Sequence, residues 1–596
     1  MKSTIQRPRK TASSGGVASG LLLALASFQS TAALAQQAPA PLPTRDDLEP
    51  FDPEQAPPRS RVEIEGDVER APCALADPAY ADIKLTLTSV AFNNLGPVPA
   101  ADLAPTYQRL IGTEQPVSVI CDIRDAAATV LRARGYIAAV QVPVQRIEGG
   151  AVAFEVLYAK VASIRVLGSP GRNGRLFESY LKPLANGEPF NRFAAERYLL
   201  LARDVPGFDV RLALRPAGTG PGDMIGEVTL RHTPIVADFN AQNYAGRESG
   251  RIGMQLRAQI NGVLGTGDRT TISAYSTADF EEQQIYQIGH DFLLGGSGLR
   301  VGARYTYAES RPDLGAGVDV SARTHFANFE ASYPLRRRLA STIRAAIGFD
   351  YIDQKVGFNG GPLSEDRLRV GYVRLDGEAI DLKGRGPDGT IGWRVGGSLE
   401  ARKGLDLFDA SIRCFPVVAA CGAAGFVPAS LNDGNPRATV FRASGFLEAR
   451  ATKNLVLTVS PRAQASGSRL FAFEQYSIGN YTLGRGYDPG AVVGDTGVGY
   501  SADARLDGLL IDRNGNFGAQ PYVFADNAWL WDKGLGAANP TRISSLGGGV
   551  RVSYRNRARL DMTLAAPMRR LPGEATKRDT RFLVSLTTNI LPWSNR

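Results

Sequence analysis

Between Leu483 and Tyr500 the chain reads LGRGYDPGAVVGDTGVGY, six glycines around Arg485, Asp488 and Asp495. Such a run could cradle a phosphate, shape a turn, or let backbone and guanidinium pack inside something larger. A phosphate loop needs G-x-x-x-x-G-K-[ST] between a strand and a helix, and neither the lysine nor a helix follows here. GSPGRNG at 168–174 lacks the dinucleotide-binding spacing and reads as a turn between a strand and a helix. His232, His290 and His325 are isolated, and no nucleophile–base pair presents itself. The expectation is therefore no enzyme, no cofactor and no metal. The four cysteines fall into two pairs, Cys73 with Cys121 in the N-terminal half and Cys414 with Cys421 around six residues. Neither pair has C-x-x-C spacing, so disulfides in an oxidising compartment are favoured over metal binding.

The elements that must position these residues fall into distinct stretches. Residues 1–35 carry a basic start (Lys2, Arg7, Arg9, Lys10), an apolar core GVASGLLLALASF and Ala33-Leu34-Ala35. That pattern predicts a secretory signal. Residues 36–70 are rich in proline and acidic residues and read as an extended linker. Residues 71–158 and 159–233 each carry a β-α-α-β-β order. In the first, 83–92 is expected as one strand, 100–111 and 122–135 as helices. The exposed sheet edges are expected at 151–158 and 225–232.

From 234 to 596 helical periodicity gives way to strict alternation. Ile252, Met254, Leu256, Ala258 and Ile260 interleave with Gly253, Gln255, Arg257, Gln259 and Asn261. Alternation means one apolar and one wet face. The segments are about ten residues or longer, their polar faces carry arginines, and Tyr305, Tyr307, Phe329 and Tyr333 stand near strand ends. A lipid-exposed barrel accounts for all three features together. Sixteen segments are expected: near 236–245, 250–262, 268–278, 283–293, 298–309, 321–334, 338–353, 367–382, 389–402, 436–449, 454–467, 496–508, 518–531, 543–556, 557–567 and 580–591. The connections 403–435 and 468–495 are long and should face outward. The net charge of +9 is scattered along the chain, so no nucleic-acid partner is expected.

Two small tandem domains ahead of a sixteen-stranded barrel resemble the polypeptide-transport-associated (POTRA) plus barrel architecture of the BamA-like outer-membrane superfamily. The fold class is then α+β, two POTRA domains, plus an all-β membrane domain. Gly484-Arg485-Gly486-Tyr487 resembles that superfamily's V/I-R-G-F/Y signature, at the tip of a loop that folds back into the barrel. Phe524-Ala525-Asp526-Asn527-Ala528 resembles the F-x-D-x-G signature of the thirteenth strand. Gly484 stands where a β-branched residue is usual, and Ala528 where glycine is. The resemblance implies a lumenal pair Arg485–Asp526 within an inward loop 468–495. It leaves Asp488 and Asp495 either as members of that network or as turn residues.

The chain is more narrowly similar to two-partner secretion transporters, the haemolysin- and filamentous-haemagglutinin-type secretion proteins. ARGYIAAVQVPVQRIEGGAVAFEV resembles their first POTRA domain, and GEPFNRFAAERYLLLARDVPGFDVRLALRPAGTGPGD their second. This implies a Cys73–Cys121 disulfide and an N-terminal helix plugging the barrel, for which the proline-rich 36–60 is a poor helix former. It implies a monomer in outer-membrane lipid, with the POTRA domains in the periplasm. Its partner would be a large secreted exoprotein with an N-terminal secretion domain. The alternative implied by the wider superfamily is an insertase of BamA or TamA type, which usually carries more POTRA domains.

Overall fold

The computed structural model describes residues 45–48, 64–65 and 72–592, apart from 316, 382–391, 415–420, 422–424, 481, 509, 513–514, 535–539, 556, 573 and 575. The expected signal region and most of the 36–70 linker lie outside the described residues.

In the first domain the helix Val119–Ala133 buries Ile120, Ile123, Ala127 and Leu131, a one-face spacing, and Gly135 follows it at positive φ. It packs with a three-stranded sheet in the order Ser89–Asn93, Ala151–Tyr158, Ala138–Gln141. Cys73 bonds to Cys121 and ties the start of the domain to this helix. Two expectations fail locally. Residues 100–111 form three 3-10 turns, Ala100–Asp102, Ala104–Thr106 and Gln108–Leu110, in place of an α-helix. Pro105 lacks an amide donor and crowds the preceding turn, which explains the break. The strand expected at 83–92 splits at buried Leu87 into Lys84–Thr86 and Ser89–Asn93, which join different sheets.

The second domain has the sheet order Ile64–Glu65, Phe208–Pro216, Asp223–His232, Lys160–Leu167. The helices Gly174–Leu181 and Arg192–Arg203 cover it, with Phe177, Tyr180, Leu199 and Ala202 in the shared core. Both expected edges are in fact central strands: 151–158 and 223–232 each have a neighbour on either side. Strand order is set by pairings distant in sequence, which a local pattern does not carry. The open edges are Ser89–Asn93 and Ala138–Gln141 in the first domain, and Lys160–Leu167 in the second. At Phe208–Pro216 the linker residues Ile64 and Glu65 pair in parallel with Leu212 and Ala213.

The remainder is a closed antiparallel barrel. Its wall strands run Ile235–Gln242, Gly253–Asn261, Arg269–Thr277, Gln283–Leu294, Leu299–Ser310, Val320–Arg337, Ser341–Phe358, Gly361–Ile380, Trp393–Gly404, Thr439–Arg450, Leu455–Ser466, Thr496–Leu506, Phe517–Trp531, Thr541–Tyr554, Ala558–Pro567 and Arg581–Leu591. These are the sixteen expected segments, supplemented by a short pairing of Leu510 and Ile511 with Ala519 and Gly518. Closure pairs the first strand with the last, with a register shift between Ala237 and Asp238. Phe329, Ile347, Val373 and Leu399 are exposed on the outer wall, whereas Thr306, Asp350, Gln354 and Asp526 are buried inside. Alternation thus divides a lipid-facing surface from a polar lumen.

The second domain docks on the turns at the barrel's near end. The Asp204 carboxylate receives Arg337 Nε and Nη2, both at 2.8 Å. Buried Asn173 accepts the Gly267 amide at 2.8 Å, and Arg300 Nη2 reaches the Asp204 carbonyl at 3.0 Å.

Candidate lumenal site

Residues 467–495 leave the eleventh wall strand at the end remote from the small domains and turn back into the lumen. A ribbon pairing Tyr476–Ile478 with Val492–Gly494 stiffens this loop. Its tip carries the Gly-Arg-Gly-Tyr motif against the twelfth to fourteenth strands.

Arg485 meets two carboxylates there. Its Nη2 donates to Asp526 Oδ1 at 2.8 Å, while its Nε and its backbone amide reach Asp526 Oδ2 at 3.2 and 2.9 Å. Nη1 donates to Asp503 Oδ1 at 2.9 Å, and Nη2 to Ser501 Oγ at 2.6 Å. Ser545 Oγ completes the cradle by donating to Asp526 at 2.8 Å. The guanidinium also lies 3.5 Å from the centre of the Phe524 ring. The register explains the convergence: Asp526 stands opposite Ser501 on one side and Ser545 on the other, and Phe524 stands opposite Asp503. All five side chains therefore share the inner face. A planar fork can satisfy two carboxylates at once, and burial strengthens each charged hydrogen bond.

The flanking residues fix the tip. Gly484 has φ +92°, and a Cβ there would come within 2.8 Å of Ile543 Cδ1. That explains glycine where the resembling signature has a β-branched residue. A Cβ on Gly486 would meet Pro567 N at 2.7 Å, so the loop backbone lies directly against the wall. Tyr487 is fully buried, its hydroxyl 2.7 Å from the Arg569 carbonyl. Asp488 pairs with Arg578 and, at 3.2 Å, with Arg581. Asp495 joins no ion pair with Arg485. Its carboxylate accepts the amides of Leu470 and Lys533, both at 2.7 Å, clasping the loop's two legs to the end of the thirteenth strand.

A second anchor holds the descending leg. Glu474 accepts Arg402 Nη2 at 2.8 Å and Arg442 Nη2 at 3.1 Å, and Arg402 also meets Asp350 at 2.8 Å. Burial alone would raise the Glu474 carboxyl, but Arg402, Arg442 and Arg45 outweigh it and hold it down at about 2. Arg45 belongs to the N-terminal turn Arg45–Leu48, which lies inside the barrel. Arg45 approaches Asp350 at 3.6 Å and Glu474 at 3.8 Å, and Leu48 packs with Phe326, Phe471 and Phe473. One stretch of the expected extended linker is thus helical and lumenal. Cys414 and Cys421 are bonded in the loop after the ninth strand, away from both anchors.

Asp503, Ser501, Ser545 and Glu474 were not singled out from sequence. The available signal was alternation: in TGVGYSADARL, Ser501, Asp503 and Arg505 share one face of a strand beside the motif strand.

A family model described as haemolysin secretion/activation protein ShlB/FhaC/HecB matches residues 228–552. Among solved structures, the chain is similar to CdiB from Escherichia coli at 16% identity and TM-score 0.66, covering 89% of this chain and 95% of that one. It is also similar to CdiB from Acinetobacter baumannii at 15% identity and TM-score 0.58, covering 94% and 96%. A BamA structure from Haemophilus ducreyi lacking POTRA domains 1–3 aligns at 11% identity and TM-score 0.50, covering 85% and 100%. No curated protein matches the sequence.

Proposed function

The chain belongs to the family of haemolysin secretion/activation proteins ShlB/FhaC/HecB, two-partner secretion translocators of the bacterial outer membrane, and we propose that its inward loop is the obstruction that an exported chain must displace. The observation that carries this reading is the loop's attachment to the wall at two ionic anchors, Arg485 at the tip and Glu474 on the descending leg. Each anchor is a small set of charged hydrogen bonds, which the polar backbone and charged side chains of an entering chain can take over one at a time. Apolar packing of the same extent offers no such substitute.

The cargo is an unfolded exoprotein that binds in the periplasm before it enters the barrel. Strand addition suits the open edge Lys160–Leu167, because an extended chain brings its own donors and acceptors to that edge. Beside the edge a groove of about 310 Å³ is lined by Ile164, Val166, Phe177 and Leu181, enough for apolar side chains of the added strand. With no phosphate-binding loop in the sequence, folding of the cargo outside supplies the drive.

The test is secretion of the exoprotein encoded beside this gene, in cells with and without this chain. Appearance outside only when the chain is present, with other barrels assembling normally, is the expected result. Failure of other outer-membrane barrels to assemble would replace export with an insertase function.

A further inference from the structure

On the outer wall, the fifth to eighth strands change character toward the end remote from the POTRA domains. Ala303, Phe329, Ile347 and Val373 form an apolar surface, followed by Tyr305, Tyr307, His325 and Tyr351 at the level of an interfacial belt. Tyr305 and His325 are joined through Oη and Nδ1 at 2.7 Å. The next outward row is charged. Glu309 stands opposite Arg323, Arg323 opposite Lys355, and Lys355 opposite Glu365. The row therefore reads Glu, Arg, Lys, Glu across four strands, with its two cations as direct cross-strand neighbours.

Like charges in that relation destabilise a sheet. The flanking carboxylates relieve them only in part, because each is shared with another cation. Glu309 lies 2.6 Å from Arg311 and 3.4 Å from Arg323; Glu365 lies 2.9 Å from Arg367 and 3.3 Å from Lys355. Arg311, Arg323 and Lys355 thus share Glu309 and Glu365 with Arg367, and Arg367 also has Asp353 opposite it and Asp409 near it. Their side chains are 57%, 58%, 42% and 65% exposed for Arg311, Arg323, Arg367 and Lys355. Exposed pairs of this kind contribute little to folding, so stability gives no reason for the arrangement. Its height gives one. The row stands immediately above the tyrosine belt, where the headgroups of the outer leaflet lie.

We propose that Arg323 and Lys355, with Arg311 and Arg367 at their sides, bind the phosphate monoester of the outer leaflet's glycolipid, phosphorylated lipid A. A phosphate between the two central side chains would turn their repulsion into two charge-assisted contacts. The arginine supplies a fork and the lysine a mobile point charge. The acyl chains of the same molecule would lie along Ala303, Phe329 and Ile347 below. The site rests on the outer-membrane placement of the barrel and is independent of cargo and loop.

The experiment uses the full chain reconstituted in phosphatidylethanolamine vesicles containing diphosphoryl lipid A, extracted into mild detergent and weighed intact by native mass spectrometry. Wild type should retain lipid A, and its retention should fall about tenfold in Arg323→Gln/Lys355→Gln, in line with the loss of charged hydrogen bonds. Arg555→Gln, at the opposite rim, should retain it as wild type does. Unchanged retention in the double variant would overturn the site, as would equal retention of phosphatidylglycerol by wild type. If the double variant fails to insert, wild type is compared on diphosphoryl and dephosphorylated lipid A; equal retention of the two overturns the proposal.

Discussion

Arg485 serves two carboxylates, and that sharing orders the effects of substitution around it. Arg485→Ala leaves Asp503 and Asp526 facing one another without their common cation, whereas Asp526→Ala leaves the guanidinium with Asp503 and Ser501. Breaking a buried pair by removing one partner costs about 3–5 kcal/mol, and stranding two anions falls at the upper end. Export, measured as exoprotein in the medium, should therefore fall further in Arg485→Ala than in Asp526→Ala. The barrel's heat-modifiable migration should remain in both. Arg485→Lys should not restore export, because an ammonium cannot span both carboxylates. Equal export in all three variants would remove the clamp from the mechanism. Arg485 and Asp526 were legible in the sequence through the resemblance of Gly484–Tyr487 and Phe524–Ala528 to the two superfamily signatures. Asp503 and Glu474 were not, since their positions depend on cross-strand register and on where the loop descends.

The loop is the element on which these residues act together, and its two anchors respond differently to conditions. Glu474 is held at about 2, below its ordinary 4.5, so its contribution is complete above about 4.5 and is lost as pH falls toward 2. Protease protection of the loop in vesicle-embedded protein should be constant from neutral pH down to about 5 and should decline below that. Glu474→Gln should be weakly protected at every pH and should lack this decline. At the tip, Gly484→Val would restore the side chain common in the resembling signature, yet here it should impair docking. A left-handed backbone costs an L-residue about 1–2 kcal/mol, more when β-branched, and the new methyls would press on Ile543. Adding Ile543→Ala relieves the contact but not the backbone, so loop protection should recover only in part. The wall strands were legible because lipid on one side and water on the other impose a two-residue period on each. Residues 100–111 misled because an apolar helical spacing masked what Pro105 does to the turn around it.

At the scale of the whole molecule, the second POTRA domain is joined to the barrel through Asp204, Arg337, Asn173 and Gly267, contacts that no local pattern announces. Asp204→Arg should loosen the domain and reduce export several-fold, and Arg337→Asp in the same chain should recover much of it. Export in the reversed pair as poor as in the single variant would mean that the contact is more than electrostatic. Deleting 159–233 should abolish export while the barrel still inserts; a fully active deletion would reduce the domain to a spacer. Domain order and strand number were legible from periodicity, whereas sheet order was not, because adjacent strands in space are distant along the chain.

The N-terminal segment is held at two places, with Arg45–Leu48 inside the barrel and Ile64–Glu65 on the edge of the second domain's sheet. The sixteen residue steps from Leu48 to Ile64 reach at most about 55 Å when taut. The two attachments are therefore mechanically in series. Pulling the lumenal turn outward loads the sheet edge once the two attachments reach that separation, so the length of this tether is as much a working dimension of the protein as the bore of its barrel.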